Sequence, residues 1–264
     1  LTGYHLFLLN LLFFLMASTL HAQGLLEALS EGKARVIDLT YPLNSKNAYW
    51  PGEAYSGFRH EVIATLEKNG AYSARYSTPE HLGTHIDAPA HFEPHQPTVD
   101  ELPLGDLVGP AVVIDVSQKV EAEADYRLTV EDITGWEKRH GRLPQGAIVL
   151  LHTGWGRRWD DYDSYKNADA SGVLHFPGFS RESALFLAED RKVKALGIDT
   201  LSVDHGPSQD FPVHHVFNSR GRWMLENLAH LDKLPPTGAT LLVAPIKIEG
   251  GSGGQARVWA VVKE

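Results

Sequence analysis

His81, His85, Asp87 and His91 fall within eleven residues, His81-Leu-Gly-Thr-His85-Ile-Asp87-Ala-Pro-Ala-His91. Two imidazoles and a carboxylate spaced i, i+4, i+6 form a donor set suited to Zn²⁺ or Mn²⁺. Three protein ligands leave an open position for water, as a catalytic metal requires. His91 lies four residues beyond Asp87, where an imidazole could move protons beside the metal. Gly83 and Pro89 interrupt the stretch, so it does not read as a regular helix. A His-rich surface loop is the plain alternative in a chain with 14 His. Asp87 and His91 occupy the positions that chemistry would use, which favours the site.

The surrounding elements must position these groups. An amphipathic helix is predicted over residues 25–32 and a first strand over 34–39. Trp50 stands in a loop before Pro51-Gly52. Residues 58–67 and 71–77 read as two strands of a hairpin around Asn69-Gly70, leading directly into the His motif. Apolar strands follow at 111–116, 147–152 and 194–198. Helices are predicted at 129–139, with Thr129 as cap and Asp132 three residues on, and at 180–189. A helix over 212–219, a strand over 223–226 and a final strand pair at 241–247 and 256–262 complete the chain. Strands alternate with helices but hairpins also occur, which argues for an α/β fold on a mixed sheet.

The 264 residues, 43% of them hydrophobic, suffice for one sizeable domain over residues 23–264. The net charge of −9, scattered along the chain, argues against a nucleic-acid surface. Cysteine is absent, which excludes disulfides and thiolate chemistry and narrows any metal site to His, Asp and Glu. Residues 1–22 differ in kind. Positions 6–17 are apolar except for Asn10, and Leu20-His21-Ala22 precedes Gln23. This resembles a secretory signal peptide, too short for a transmembrane helix, and implies a periplasmic or secreted chain that is not inserted in the membrane after cleavage. An N-terminal core or interfacial helix is the alternative.

The His motif has the pattern HxGTHxDxPxH and resembles that of the cyclase-like metal hydrolases, a family that includes kynurenine formamidases and isatin hydrolases. The likeness continues in order through Ile37-Asp38-Leu39-Thr40, Trp50-Pro51-Gly52, Leu151-His152-Thr153-Gly154-Trp155 and Gly197-Ile198-Asp199-Thr200-Leu201-Ser202-Val203-Asp204. It ends with Phe211-Pro212-Val213-His214-His215, Leu225-Glu226-Asn227-Leu228 and the Gly-rich residues 248–254. The resemblance implies a swivelling β/β/α fold, with helices packed on a central mixed sheet. It implies that His214 and Glu226 complete the metal centre around Asp87, with His215 the competing choice for the histidine. One or two metals per chain, and a homodimer or homotetramer, are also implied.

Further candidates come from position. Asp199, Asp204 and His205 follow a predicted strand end, where α/β sites collect. Asp204 could orient a metal-binding imidazole, and His205 could contact substrate. Trp50, Phe58, Trp155 and Trp223 are candidates for an aryl pocket, Trp50 foremost because it lies in a loop. The Gly250 to Gly254 run lacks the Lys-Ser/Thr of a phosphate loop and reads as a hairpin or tight loop near the pocket. No G-x-S-x-G elbow occurs, so a serine hydrolase is disfavoured. The expectation is metal-dependent hydrolysis of an aryl or cyclic amide, with His91 as proton shuttle. A metal-dependent lactonase or cyclase and a non-catalytic metal-dependent binding protein are the competing classes.

Overall fold

A computed structural model describes residues 24–263 apart from 25, 26, 53 and 54. The leader expected over residues 1–22 lies outside the described residues. Residues 27–30 are helical, within the helix predicted over 25–32. The strands in chain order are β1 (Ala34–Asp38), β2 (Arg59–Ala64), β3 (Ser73–Ser77), β4 (His85–Asp87), β5 (Val108–Asp115) and β6 (Arg127–Leu128). They continue as β7 (Ile148–His152), β8 (Gly178–Phe179), β9 (Ala195–Ile198), β10 (Met224–Glu226), β11 (Ala239–Pro245) and β12 (Gly253–Lys263).

Eight of them form one sheet in the order β1-β12-β11-β5-β7-β9-β10-β4. β5, β7, β9 and β10 run parallel, and the remaining pairings are antiparallel. β12 is long enough to pair with β1 through residues 259–263 and with β4 through residues 253–255. That second pairing closes the sheet into a barrel-like ring, which removes the open edge that β4 would otherwise present.

The parallel strands are buried on both faces, which is why their sequences are apolar without alternation. Ala111, Val113, Ile148, Leu150 and Ala195 point into the ring toward β11 and β12. Val112, Ile114, Val149, Leu151, Leu196 and Ile198 point outward under the helices. Three helices matter on that outer layer. Helix α1 (Val130–His140) is capped reciprocally by Thr129 and Asp132, buries Ile133 and Trp136, and places Lys138, Arg139 and His140 in its last turn. Trp136 Nε1 donates to the Val113 carbonyl at 2.9 Å, tying α1 to β5. Helix α2 (Arg181–Leu185), capped by Ser180, widens into a π-turn over Phe186–Asp190. Helix α3 (Pro212–Asn218) starts on Pro212, whose fixed φ and missing N–H suit the first helical turn.

The predicted hairpin before the His motif is present as a separate β2–β3 ribbon. Its connection is one helical turn, Leu66–Asn69, ended by Gly70 at φ 72°. The Gly-rich run is divided: Gly250 and Gly251 lie in the hairpin connection between β11 and β12, with Gly250 at φ 73°, whereas Gly253 and Gly254 are strand residues paired with Asp87 and Ile86.

Leu150 is fully buried at the centre of the ring. Leu150→Ala should cost about 2–5 kcal/mol, the range for a buried leucine that leaves a cavity. Urea unfolding of the metal-stripped protein measures it, and a loss under about 1 kcal/mol would contradict this packing.

Candidate metal centre

β4 is only three residues long, and all three are buried. Alternation along a strand sends His85 and Asp87 to one side and Ile86 to the other. Ile86 enters the core inside the ring together with Leu225 of β10. Glu226 lies directly opposite His85 across the β10–β4 pair, so it shares the outward face with the two ligand types. The i, i+2 spacing of His85 and Asp87 is therefore a strand spacing. On the other side Gly253 lies opposite Asp87. A Cβ there would stand 2.5 Å from the Ile86 carbonyl and 2.6 Å from His81 Cε1. The missing side chain is what lets the His81 ring approach.

Two donor groups share Asp87: His81, His85 and Asp87, and Asp87, His214 and Glu226. Asp87 Oδ1 lies 2.6 Å from His81 Nδ1 and 3.2 Å from His85 Nε2. Asp87 Oδ2 lies 3.6 Å from His214 Nε2. Glu226 closes the set, with Oε2 3.5 Å from His85 Nε2 and Oε1 3.4 Å from His214 Nε2. His85 Nε2 and Asp87 Oδ2 are buried without a hydrogen-bond partner among the described residues. Orphaned polar atoms in the interior are costly and call for an occupant. Hard and borderline donors converging on them, without any thiolate, fit a divalent cation.

Each imidazole is turned by a group behind it. His85 Nδ1 donates to the Gly83 carbonyl at 2.8 Å. His214 Nδ1 donates to Asp204 Oδ2 at 2.7 Å. Asp204 also accepts the N–H groups of Val213 and His214, so it holds both the first turn of α3 and its ligand. The Ser252 hydroxyl donates to Glu80 Oε2 at 2.6 Å, which leaves its oxygen to accept from His81 Nε2 at 2.9 Å. These partners direct the three remaining ring nitrogens at the carboxylates.

Electrostatics follow from burial. Burial raises the Asp87 carboxyl, but the imidazoles of His85, His214 and His81 override it and hold the group well below its usual range. Burial and then the Asp87 charge push Glu226 up. Burial lowers His85, yet Asp87 and Glu226 win and hold it up to about 9. Burial likewise lowers His214, and its bonds to Asp204, Asp87 and Glu226 carry it well above the usual histidine value.

His91 behaves differently. Pro89 starts a short 3₁₀ turn that brings His91 back over His81, with ring centroids 3.8 Å apart and planes 20° apart. Burial pushes it down to about 3, with Asp87 the main opposing charge. Its ring is half-buried and has no side-chain hydrogen bond among the described residues.

The site opens into a cavity of about 290 Å³. Trp50, Tyr55, Phe92, Leu201 and Phe211 form its apolar walls beside His81, His85, His91, His214 and Glu226. Phe211 meets Trp50 edge-on at 5.7 Å and Phe92 at 5.3 Å.

The sequence profile of the Cyclase family matches residues 37–205. The chain belongs to the cyclase family. It is 36% identical over 191 residues to an isatin hydrolase of Roseibium aggregatum, covering 69% of this chain and 72% of the relative. It is 30% identical over 222 residues to a kynurenine formamidase of Bacillus cytotoxicus, covering 84% of this chain and 94% of the relative. Among solved structures, isatin hydrolase A from Ralstonia solanacearum superposes with a TM-score of 0.86 at 37% identity, over 92% of this chain and 97% of the other. An isatin hydrolase bound to the product analogue thioisatinate superposes with a TM-score of 0.87 at 30% identity, over 94% and 99%.

Within this cyclase-family frame most of the expected residues meet. His81, His85, Asp87, His91, His214, Glu226 and Trp50 all line the cavity or lie beside it. His215 does not: it is exposed and donates to Glu93 at 2.8 Å. His205 is half-buried and is not among the residues that line this cavity, whereas Asp204 before it holds α3. Trp155 and Trp223 are core residues, each 2% exposed, and Phe58 stacks within the ribbon on Tyr76. Sequence reasoning missed Phe92, Tyr55 and Phe211 as walls. Phe92 adjoins His91 and Phe211 precedes Pro212, but neither position announces a wall. Glu80 and Ser252 were also missed, because a contact across 172 positions has no local signature.

Two outcomes follow for the centre. Gly253→Ala should displace His81 and weaken divalent-metal binding by about 10-fold or more, the scale at which misoriented ligands act. Chelator competition measures it, and an affinity equal to wild type would contradict the packing against His81. The second outcome concerns pH. His85 is raised from 6.5 to about 9 on folding, so the folded protein binds the extra proton across that window. Stability of the metal-stripped protein from this group is full below pH 6.5 and is lost as pH rises through 9, while metal affinity climbs because each cation must displace that proton. Urea titrations and metal titrations over this range should slope in opposite directions. Parallel slopes would refute it.

Proposed function

We propose that this chain is a divalent-metal-dependent hydrolase that opens the lactam of an isatin-type substrate, with His91 as the proton carrier. One observation carries the reading: His91 has no side-chain hydrogen bond among the described residues, is stacked on His81 at the edge of the donor set and faces an aromatic-walled cavity. A mere binding site has no use for such a group. The similarity to isatin hydrolases over nearly the whole chain supports the substrate class. An aryl formamide of the N-formylkynurenine type is the second reading, favoured by the likeness to kynurenine formamidase across 94% of that relative.

His81, His85 and Asp87 would hold one cation. Asp87, His214 and Glu226 would hold a second. Mn²⁺ and Zn²⁺ both suit these donors. When bound, the cation supplies a Lewis acid for the carbonyl and makes water easier to deprotonate. The chain's own residues do the rest. His91, at the edge of the donor set, takes the proton of the attacking water and delivers one to the departing nitrogen. Trp50, Phe92 and Phe211 hold the aryl ring and exclude water from its faces. The small cavity suits one fused or single aryl group, not a polymer.

The apolar leader over residues 1–22 supports export, which fits removal of a diffusible aryl amide. Val62, Ile63, Tyr72 and Tyr76, exposed on and beside the β2–β3 ribbon, support assembly into a homodimer or homotetramer.

The test is turnover of isatin and N-formylkynurenine by metal-stripped protein before and after addition of Mn²⁺ or Zn²⁺. Ring opening restored by metal is the expected result, and formamide cleavage alone would select the second reading. His91→Ala should keep its metal content and lose about 10²–10⁴-fold in kcat, the usual share of general acid–base catalysis. Undiminished turnover in that variant would remove His91 from the mechanism.

A further inference from the structure

Asn227 belongs to neither donor group, yet all of its polar groups are engaged. Its backbone N–H donates to the Thr200 carbonyl at 3.0 Å. Its backbone carbonyl accepts from Thr84 Oγ1 at 2.7 Å. The Tyr165 hydroxyl faces its Oδ1 at 3.0 Å, and its Nδ2 donates to the Gly83 carbonyl at 3.0 Å. Gly83 offers only an acceptor, so the amide must present its NH₂ end there. Asn227 is 1% exposed and sits at φ 55°, in the left-handed region where Asn is among the few side chains tolerated.

The Gly83 carbonyl is the same atom that accepts from His85 Nδ1. Gly83 has φ 66° and no Cβ, so its own sterics do little to fix the following peptide plane. Asn227 fixes it from outside, through the side-chain bond to Gly83 and the bond from Thr84.

We propose that Asn227 is a positioning residue for His85: by holding the Gly83 carbonyl in place, it keeps the proton of His85 on Nδ1 and leaves Nε2 as the lone-pair atom aimed between Asp87 and Glu226. This rests on the metal-centre reading above. It assigns to Asn227 a contribution to metal affinity that is transmitted only through His85. Tyr165, lodged behind the amide, supports the orientation.

The experiment uses the full chain, stripped of metal and titrated with Zn²⁺ against a chromophoric chelator. Asn227→Asp keeps the shape and the Tyr165 contact but turns an acceptor toward the Gly83 carbonyl. Asn227→Gly accepts the left-handed backbone freely and removes only the amide. Circular dichroism of the metal-stripped proteins reports folding, and the Gly variant carries the test should the Asp variant not fold. Both folded variants should bind Zn²⁺ about 10–100-fold more weakly than wild type. In a His85→Ala background the Asn227→Gly change should alter the remaining affinity by less than about twofold, because its route of action is gone. Wild-type affinity in the variants would overturn the proposal. So would an undiminished loss in the His85→Ala background, which would mean a general packing role. A wild-type chain that takes up no Zn²⁺ or Mn²⁺ would instead overturn the metal-centre reading, and the proposal with it.

Discussion

Two carboxylates, Asp87 and Glu226, are buried side by side, and the rest of the centre answers to that constraint. Burying one ionised carboxylate is expensive, and a second beside it adds repulsion in a medium that screens poorly. Glu226 is pushed up by burial and by Asp87, whereas Asp87 is held down by three imidazoles. With protein groups alone the balance is struck by protons on His85 and His214. A divalent cation can replace those protons and reach Asp87 Oδ2 and His85 Nε2, which have no hydrogen-bond partner among the described residues. The arrangement therefore exchanges protons for metal, and its cost as a bare protein is part of its affinity.

Such a pair can exist only if the backbone leaves it no way to relax, and the closed sheet provides this. β4 is held on one side by β10 and on the other by β12, so its three residues cannot slip by one position without turning Ile86 out of the ring core. Register therefore fixes which side chains face the site. From the helical layer, α3 contributes His214 and is itself anchored by Asp204, which binds the helix start and the imidazole together. The ligands thus come from β4 and the segment before it, from β10 beside it and from one helix, with little freedom at any of them.

The parts legible in the sequence were those with local signatures. The capping pair Thr129–Asp132 marked α1, and the unbroken apolar runs marked the parallel strands. The His motif gave its donors by residue type, and the family resemblance supplied His214 and Glu226, which their spacing alone could not. Of His214 and His215, only His214 faces the carboxylates, since adjacent residues on α3 point about 100° apart. Beyond the end of β9 it is Asp204 that engages the centre, through His214, while His205 stands outside the cavity lining. The Gly-rich run was legible in part: its first glycines lie in the β11–β12 hairpin connection, as composition signals, whereas Gly253 and Gly254 serve by the absence of side chains where β12 meets β4 and His81. Contacts such as Ser252 with Glu80 are set by the closure of the sheet, which no local pattern records.

Substrate wall and metal centre share one turn of chain. Phe211 caps α3 at φ 42°, an unusual conformation for a bulky side chain, and its amide donates to Ser208 Oγ at 3.2 Å. Its ring packs on Trp50 and Phe92, and three residues later the same helix delivers His214. Phe92 in turn lies next to His91 in the chain and packs on His214 with centroids 4.3 Å apart. A change in cavity shape at Phe211 or Phe92 is therefore also a change in how an imidazole is held. The aromatic walls are not a free surface that can be reshaped for new substrates. They are the outer packing of the donor groups, so a change in a wall is transmitted to α3 and its imidazole.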